Sequence, residues 1–285
     1  MFFINSSNIF MKKLLLIFVI GFSTFNLGAQ KINGSATYKT AGSIPMSLES
    51  AEITPEQKKR IEERMSKAMQ KEYTLSFNRN ESLYEEVVAL EKEGQAGMRF
   101  LSMISGASGT YYRNLKESTI KQEQDLLGKL FLIEDSIETL DWQLGKETKS
   151  IGNYICNKAT AERVFVVAKT EMVDGAVKDT IRNDTVQIIA WYSMQIPVSH
   201  GPSKYGGLPG LILELYDGRS TILCTKVSIS TSAEAEIKVP NNGEQVSRKE
   251  FDEISREKMI EMRKMYGGSR NGRTGRGSME IRIGG

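Results

Sequence analysis

Apolar and polar side chains alternate with a two-residue period along much of the chain, and this alternation predicts β-strands. The signal is strongest between residues 151 and 229, where the runs are rich in β-branched and aromatic residues. The strands predicted there are Tyr154–Lys158, Arg163–Thr170, Thr185–Tyr192, Leu211–Tyr216 and Ser220–Ile229. Other runs predict strands at Lys31–Thr40, Tyr73–Phe77, Leu83–Val88, Thr110–Leu115 and Lys129–Ile133.

Turn signals between these runs indicate how the strands are connected. Asp217-Gly218 is typical of a two-residue hairpin turn, and Asp174-Gly175 marks a second reversal with a longer connection after it. Because hairpins join neighbouring strands that run in opposite directions, the connections favour an antiparallel sheet.

Two capping boxes interrupt the strand pattern, and each marks the start of a helix. Thr54–Gln57 opens the first helix, with a proline at the first helical position. Its apolar residues share one stripe: Ile61, Met65, Ala68 and Met69. Ser247–Glu250 opens the second helix, which is expected to run to about Tyr266 and to stop at two glycines. No linker divides these elements, so we predict one α+β domain, residues 31–266, with a curved, mostly antiparallel sheet and two capped helices.

Both ends of the chain differ from this body. Lys12 and Lys13 precede a short apolar run and a small-residue end, which together predict a signal peptide over residues 1–30. The run is too short for a membrane-spanning helix, which needs roughly 20 apolar residues. Met11 begins this pattern, so residues 1–10 are interpreted as a misassigned start. Residues 267–285 are rich in Gly and Arg with few apolar side chains, and we predict that they are disordered.

A signal peptide predicts an exported protein with no transmembrane anchor in the mature chain, placed in the periplasm or at the outer membrane of a diderm bacterium. The mature chain is almost neutral: its tail carries a net charge of +3 and its body a net charge of −2. A nucleic-acid reader would carry a basic patch on its body, so this class of protein is excluded. Export leaves open one disulfide, between Cys156 and Cys224.

His200 is the only histidine, so every catalytic triad or dyad with a histidine base would have to use it. Ser199 is a poor nucleophile for it, because neighbouring side chains on an extended strand point to opposite sides. A zinc site needs three or four ligands, and the chain has only three His and Cys residues in all. Asp and Glu are plentiful, but no pair has a spacing typical of catalysis.

Three methionines of the second helix leave a metal interpretation open. Met259, Met262 and Met265 share one broad helix face, and exported proteins use such thioethers for copper(I). The alternative interpretation is that they fill the core, as methionine at helical spacing usually does.

A Gly- and Pro-rich segment, residues 201–210, lies between two of the strongest strands. It lacks the Gly-Lys-Ser/Thr ending of a phosphate loop, and a strand follows it where a helix would be needed. We interpret it as a tight structural connection, with a type II turn that places positive φ at Gly210. Its aromatic neighbours Trp191, Tyr192 and Tyr205 either line a cleft or cover the end of the sheet.

The same region resembles the GLPGLI family of exported bacterial proteins, which is named after a hexapeptide. That hexapeptide is present unaltered as Gly207, Leu208, Pro209, Gly210, Leu211 and Ile212. The segment from Trp191 to Pro197, Gly201-Pro202 and the stretch 154–159 also resemble the family, and the resemblance is strongest from about residue 141 to residue 229. Ser203 and Cys224 depart from the family pattern.

The resemblance implies a fold and no reaction. The family has no established activity, so it transfers no catalytic residue to this chain. It is distantly similar to exported α+β proteins whose curved sheet forms an open half-barrel over helices, as in lipoprotein carriers. It is also similar to the non-catalytic N-terminal module of a bacterial peptide:N-glycanase type. Both similarities suggest binding or scaffolding, although fold alone does not determine function.

We therefore expect a non-catalytic envelope protein without a cofactor that binds a hydrophobic ligand or a partner protein. The candidate binding residues are Trp191, Tyr192, Tyr205 and His200, beside the Gly- and Pro-rich segment. One alternative is a hydrolase that uses carboxylates or His200, and another is copper(I) binding by the three methionines. Whether residues 94–109 form a lid, a buried turn or a flap is also left open.

Overall fold

The computed structural model describes residues 32–42, 54–57, 60, 70–87, 109–173, 176–218, 220–230, 237–267 and 279–283. It gives the backbone alone at 165–173, 176–181, 259–260, 262–267 and 279–283. The predicted signal peptide, the apolar stripe of the first helix and residues 94–108 lie outside the described residues.

The described strands form one open sheet of thirteen strands. In chain order these are β1 Asn33–Gly42, β2 Glu72–Phe77, β3 Glu81–Glu86, β4 Thr110–Asn114, β5 Thr119–Leu126, β6 Lys129–Ser136, β7 Gln143–Ile151, β8 Tyr154–Val173, β9 Ala176–Ser193, β10 Leu211–Tyr216, β11 Ser220–Ser230, β12 Glu244–Val246 and β13 Met279–Ile283.

The spatial order of the strands explains why the sheet is open. It runs β12-β6-β5-β4-β3-β2-β1-β11-β10-β9-β8-β13, and β7 also pairs with β8. Among the described pairs, β12 with β6 is parallel and the others are antiparallel. The predicted mostly antiparallel sheet is therefore confirmed, while its half-barrel curvature stays a prediction.

One face of the central strands carries the main core. In β2, Tyr73, Leu75 and Phe77 alternate with less buried residues, as the two-residue period requires. Strands β1, β9, β10 and β11 add buried side chains to the same cluster. Each fully buried Leu, Ile or Phe side chain contributes roughly 1.5–3 kcal/mol. The core thus holds the strands on both sides of the Gly- and Pro-rich segment.

The longest hairpin joins β8 to β9. The predicted strands Tyr154–Lys158 and Arg163–Thr170 are one continuous strand, which pairs with β9 as far as Val173↔Ala176. The predicted chain reversal between β8 and β9 is therefore confirmed, but the longer connection expected after it was wrong.

The β10–β11 hairpin is also confirmed, but its turn begins one residue later than predicted. The Asp217 N–H donates to the Ser220 carbonyl oxygen over 3.2 Å, so Asp217 belongs to the closing pair and is not a central turn residue. Gly218 follows with φ +88°.

Both capping boxes are confirmed. The Gln57 N–H donates to Thr54 Oγ1 over 3.2 Å, and residues 55–57 and 60 are helical. The second box opens helix α1, Arg248–Gly267, where the Glu250 N–H donates to Ser247 Oγ over 3.2 Å. Phe251 on α1 packs edge-on against Phe131 of β6, with 5.4 Å between ring centroids. No helix among the described residues is long and apolar enough to cross a membrane.

Two features differ from the simplest expectations. Residues 279–283, within the segment predicted to be disordered, form β13, which pairs antiparallel with residues 166–170 of β8. Cys156 and Cys224 are both free and buried, so the disulfide that the sequence left open is not formed. Burial raises the pKa of each thiol to about 11.

Candidate functional site

The connection between β9 and β10, residues 194–210, folds back on itself through backbone hydrogen bonds. The Leu211 N–H donates to the Ile196 carbonyl over 3.0 Å, and the Ile212 N–H donates to the His200 carbonyl over 3.1 Å. Across the loop, the Gly207 N–H donates to the Ser199 carbonyl over 3.1 Å. These bonds satisfy the buried backbone of a segment that has no regular secondary structure.

Two glycines of the hexapeptide are required for different reasons. Gly207 has φ +87°, in the left-handed region that glycine adopts without strain. Gly210 does not have positive φ, so the predicted type II turn was wrong. Its lack of a side chain matters because a Cβ there would collide with the Ser193 carbonyl oxygen.

Arg113 and Trp142 hold the loop from the side. Arg113 is 2% exposed, and its Nη1 donates to the Tyr205 carbonyl oxygen over 3.0 Å. Trp142 Nε1 donates to the next carbonyl, that of Gly206, over 3.0 Å. A Cβ at Gly206 would collide with the Arg113 guanidinium, which shows how closely the loop backbone and the Arg113 side chain approach each other. Sequence analysis missed both residues, because each lies more than sixty positions from its partner.

His200 belongs to the core. It has no exposed surface, its Nε2 donates to the Asn78 carbonyl oxygen over 3.0 Å, and its ring lies 6.5 Å from that of Phe77. Burial, followed by the charge of Arg113, lowers the pKa of His200 to about 3. The imidazole is therefore neutral near pH 7 and has no exposed face for a substrate.

The structure does not bring the four candidate binding residues into one cleft. Tyr192, Tyr205 and His200 are buried in the core. Trp191 alternates with the buried Ala190 and Tyr192, so its side chain projects from the opposite face of the sheet, hereafter the outer face. The sequence left open whether the aromatic residues line a cleft or cover the end of the sheet. The two tyrosines are buried in the core and therefore cover the sheet.

On the outer face, lysines cover the Trp191 ring. Lys149 Nζ lies 4.3 Å and Lys158 Nζ 6.0 Å from the ring, which are cation–π distances. Lys149 Nζ also pairs with a Glu214 carboxylate oxygen over 2.7 Å, and Lys158 Nζ pairs with Glu147 over 2.8 Å. The charges around the tryptophan therefore largely cancel.

Strand register extends this surface across β9, β10 and β11. Ile189 is opposite Tyr216, and Trp191 is opposite Glu214, which is itself opposite Leu223. Tyr216 is 40% exposed and Leu223 is 39% exposed. We define Ile189, Trp191, Tyr216 and Leu223 as the outer strip.

A second polar group is centred on Lys204, which is itself a residue of the loop. Lys204 Nζ is shielded from solvent, has no hydrogen-bond partner among the described residues, and lies 5.9 Å from the Tyr205 ring. Burial, and to a smaller extent the positive charges of Arg163 and Arg248, lowers the pKa of Lys204 to about 7. The sequence does not indicate that Arg163 and Arg248 lie near Lys204, because Arg163 is on β8 and Arg248 begins α1.

The described residues contain no group of three or more His, Cys, Asp or Glu side chains that could hold a metal ion. The side chains of Met259, Met262 and Met265 lie outside what the structure describes, so the copper(I) hypothesis stays a prediction.

A family model described as a protein of unknown function (Porph_ging) matches residues 142–214, about a quarter of the chain, including the loop and its Trp142 anchor. Two solved structures of PNGF-II, in space groups C2 and P21, are similar with TM-scores of 0.43 and 0.44 and sequence identities of 14% and 16%. They cover 79% and 78% of this chain, which spans about a third of their length, at 32%. No curated protein matches.

Proposed function

We propose that this is a non-catalytic, exported protein that binds a partner protein through the outer strip. The observation that carries this proposal is a row of apolar side chains in register on three neighbouring central strands, of which Tyr216 and Leu223 are exposed and Ile189 and Trp191 are half-buried. Contiguous apolar surface rimmed by polar residues is typical of protein interaction sites.

The chemistry of the strip supports an uncharged, apolar partner surface. Its lysines are already paired with Glu214 and Glu147, so they leave little net charge to attract a charged partner. Trp and Tyr side chains dominate binding energy at many interfaces, and Trp191 and Tyr216 would supply that contribution here. The strip is a row of side chains on neighbouring strands, which suits a protein surface better than a small hydrophobic ligand, which needs a concave pocket.

The loop supports a non-catalytic role. Its hexapeptide contributes backbone bonds and tight packing, and the only imidazole in the chain is buried and neutral. We further propose that the chain is a GLPGLI-family protein of the bacterial envelope, since the matched segment, residues 142–214, contains the hexapeptide.

A matched pair of variants tests partner binding. Leu223 and Leu130 are both 39% exposed, but Leu130 lies on β6, near the other end of the strand order. We expect the tagged wild type and Leu130→Glu to co-purify the same envelope protein, and Leu223→Glu to lose it.

The alternatives give different results in the same experiment. Equal recovery with both variants would place the interface elsewhere and contradict the proposal. Sedimentation of the purified chain identifies the case in which the partner is a second copy, since Leu223→Glu would then turn a dimer into a monomer.

A further inference from the structure

The ammonium group of Lys204 has no role in holding the loop together. Its Nζ is shielded from solvent and makes no hydrogen bond to any described residue. A buried ammonium without an anionic partner is strongly unfavourable, so such a group either loses its proton or gains a partner. An apolar side chain would occupy the same position without this penalty.

Hydrogen-bond donors from four parts of the fold lie in the neighbourhood of this group: the charges of Arg163 and Arg248 act on Lys204, and its Nζ lies 5.9 Å from the Tyr205 ring. Arg163 of β8 pairs with Glu138 over 2.5 Å and also bonds the Tyr205 hydroxyl. Arg248 of α1 bonds the Gln122 side chain, and Gln122 Nε2 donates to the Tyr111 hydroxyl over 2.9 Å. We define Lys204, Arg163, Arg248, Tyr111 and Tyr205 as the Lys204 cluster.

The acidic side chains near the cluster are engaged by groups other than Lys204. Glu138 binds Arg163, Asp252 lies 3.8 Å from Arg248, and Asp217 accepts from Ser220 over 2.8 Å. None of these carboxylates hydrogen-bonds Lys204 in the described structure. The cluster therefore combines two ion-paired guanidinium groups with one ammonium that still needs an acceptor.

We propose that the Lys204 cluster binds a small tetrahedral oxyanion, of the phosphate or sulfate type, with Lys204 as its central ligand and Arg163 and Arg248 beside it. Guanidinium groups match the oxygen geometry of such anions, and charge-assisted hydrogen bonds are about twice as strong as neutral ones. The site is separate from the outer strip and does not depend on the partner proposed above.

Anion binding at this site is coupled to proton uptake. The free Lys204 amine has a pKa of about 7, whereas the bound ammonium is held in its charged form by the anion. The charged groups that act on Lys204 are Arg163, Arg248, Glu138, Asp217 and Asp252, and the Tyr205 ring lies 5.9 Å from its Nζ. Since the bound form requires one additional proton above pH 7, affinity falls about tenfold per pH unit there.

Titration calorimetry with inorganic phosphate and with sulfate tests the site, at pH 6.5 and pH 8.5. We expect the wild type to bind either anion at pH 6.5 and to bind sulfate, whose charge is constant in this range, at least tenfold more weakly at pH 8.5. Lys204→Met is expected to abolish binding. Lys238→Met, at an exposed position, is expected to leave it unchanged.

A second measurement needs no variant. In the wild type labelled with ¹⁵N at lysine Nζ, the Lys204 amine is expected to titrate near pH 7 and to shift upward by at least one pH unit when phosphate is added. An identical titration with and without phosphate, or equal binding by the wild type and Lys204→Met, would overturn the proposal. Binding of acetate but not of phosphate or sulfate would overturn the tetrahedral class.

Discussion

At the scale of single residues, Gly207 and Gly210 test whether the hexapeptide is architectural. At Gly207, whose φ is +87°, alanine costs about 1–2 kcal/mol of unfolding free energy, because only backbone strain is introduced. At Gly210 alanine also meets the Ser193 carbonyl oxygen, so we expect a loss of more than about 3 kcal/mol. Urea denaturation measures both, and Gly128→Ala, at φ +88° in open space, is the control for strain alone. A smaller loss at Gly210 than at Gly207 would contradict this packing.

The buried His200 predicts a pH dependence of stability. Its pKa is about 3 in the folded protein and near 6.5 in the unfolded chain, so between these values the unfolded state binds one more proton. Stability should therefore fall as the pH falls through this window, by about 1.4 kcal/mol per pH unit from this residue.

His200→Asn removes the titration and keeps a donor for the Asn78 carbonyl. Between pH 6.5 and pH 5, chemical denaturation should show the wild type losing about 2 kcal/mol more than this variant. Parallel losses would mean that His200 is protonated in the folded protein.

At the scale of elements, the start of α1 depends on a local signal that can be tested. The Ser247 hydroxyl accepts from the Glu250 N–H, and Glu250 accepts from the Ser247 N–H over 2.7 Å. Ser247→Ala should cost about 1 kcal/mol of unfolding free energy. Ser228→Ala, on an exposed strand position, is the control and should be nearly neutral. Equal effects in thermal denaturation would indicate that the box does not stabilise α1.

Elements with a local cause could be predicted, and those with a distant cause could not. The capping boxes and the alternation of β2 depend on residues within one turn or one strand. Strand β5 was missed because Gln122 and Gln124 point inward, where Gln122 Nε2 donates to Gln124 Oε1 over 2.8 Å. Strand β7 was missed because it is polar and mostly exposed. Both strands exist because of their neighbours, which no local window contains.

The candidate site was predictable to the same extent. The tight packing of Gly207–Ile212 follows from its glycines and prolines, whereas the sequence does not indicate that the positive φ falls at Gly207 and not at Gly210. Trp191 and Tyr192 are adjacent in sequence, and only the sheet assigns them to opposite faces. The Lys204 cluster joins residues from four separate parts of the chain, so no spacing in the sequence indicates it.

At the scale of the whole molecule, the described strands form one wide open sheet, for which we propose two binding sites. The core face is filled by its own aromatic and aliphatic side chains and by the β9–β10 loop. The outer face keeps Tyr216 and Leu223 exposed on two central strands, and the Lys204 cluster includes Lys204 and Tyr205 of the loop. Binding on the outer face is thus the central claim, and it requires no reactive group.

Site-specific photocrosslinking in living cells tests that claim most directly. A photoreactive phenylalanine analogue replaces Leu223 in one strain and Leu130, which is equally exposed, in another. The account predicts one discrete crosslinked protein at position 223 and none at position 130. No adduct at position 223, or the same set of adducts at both positions, would contradict it.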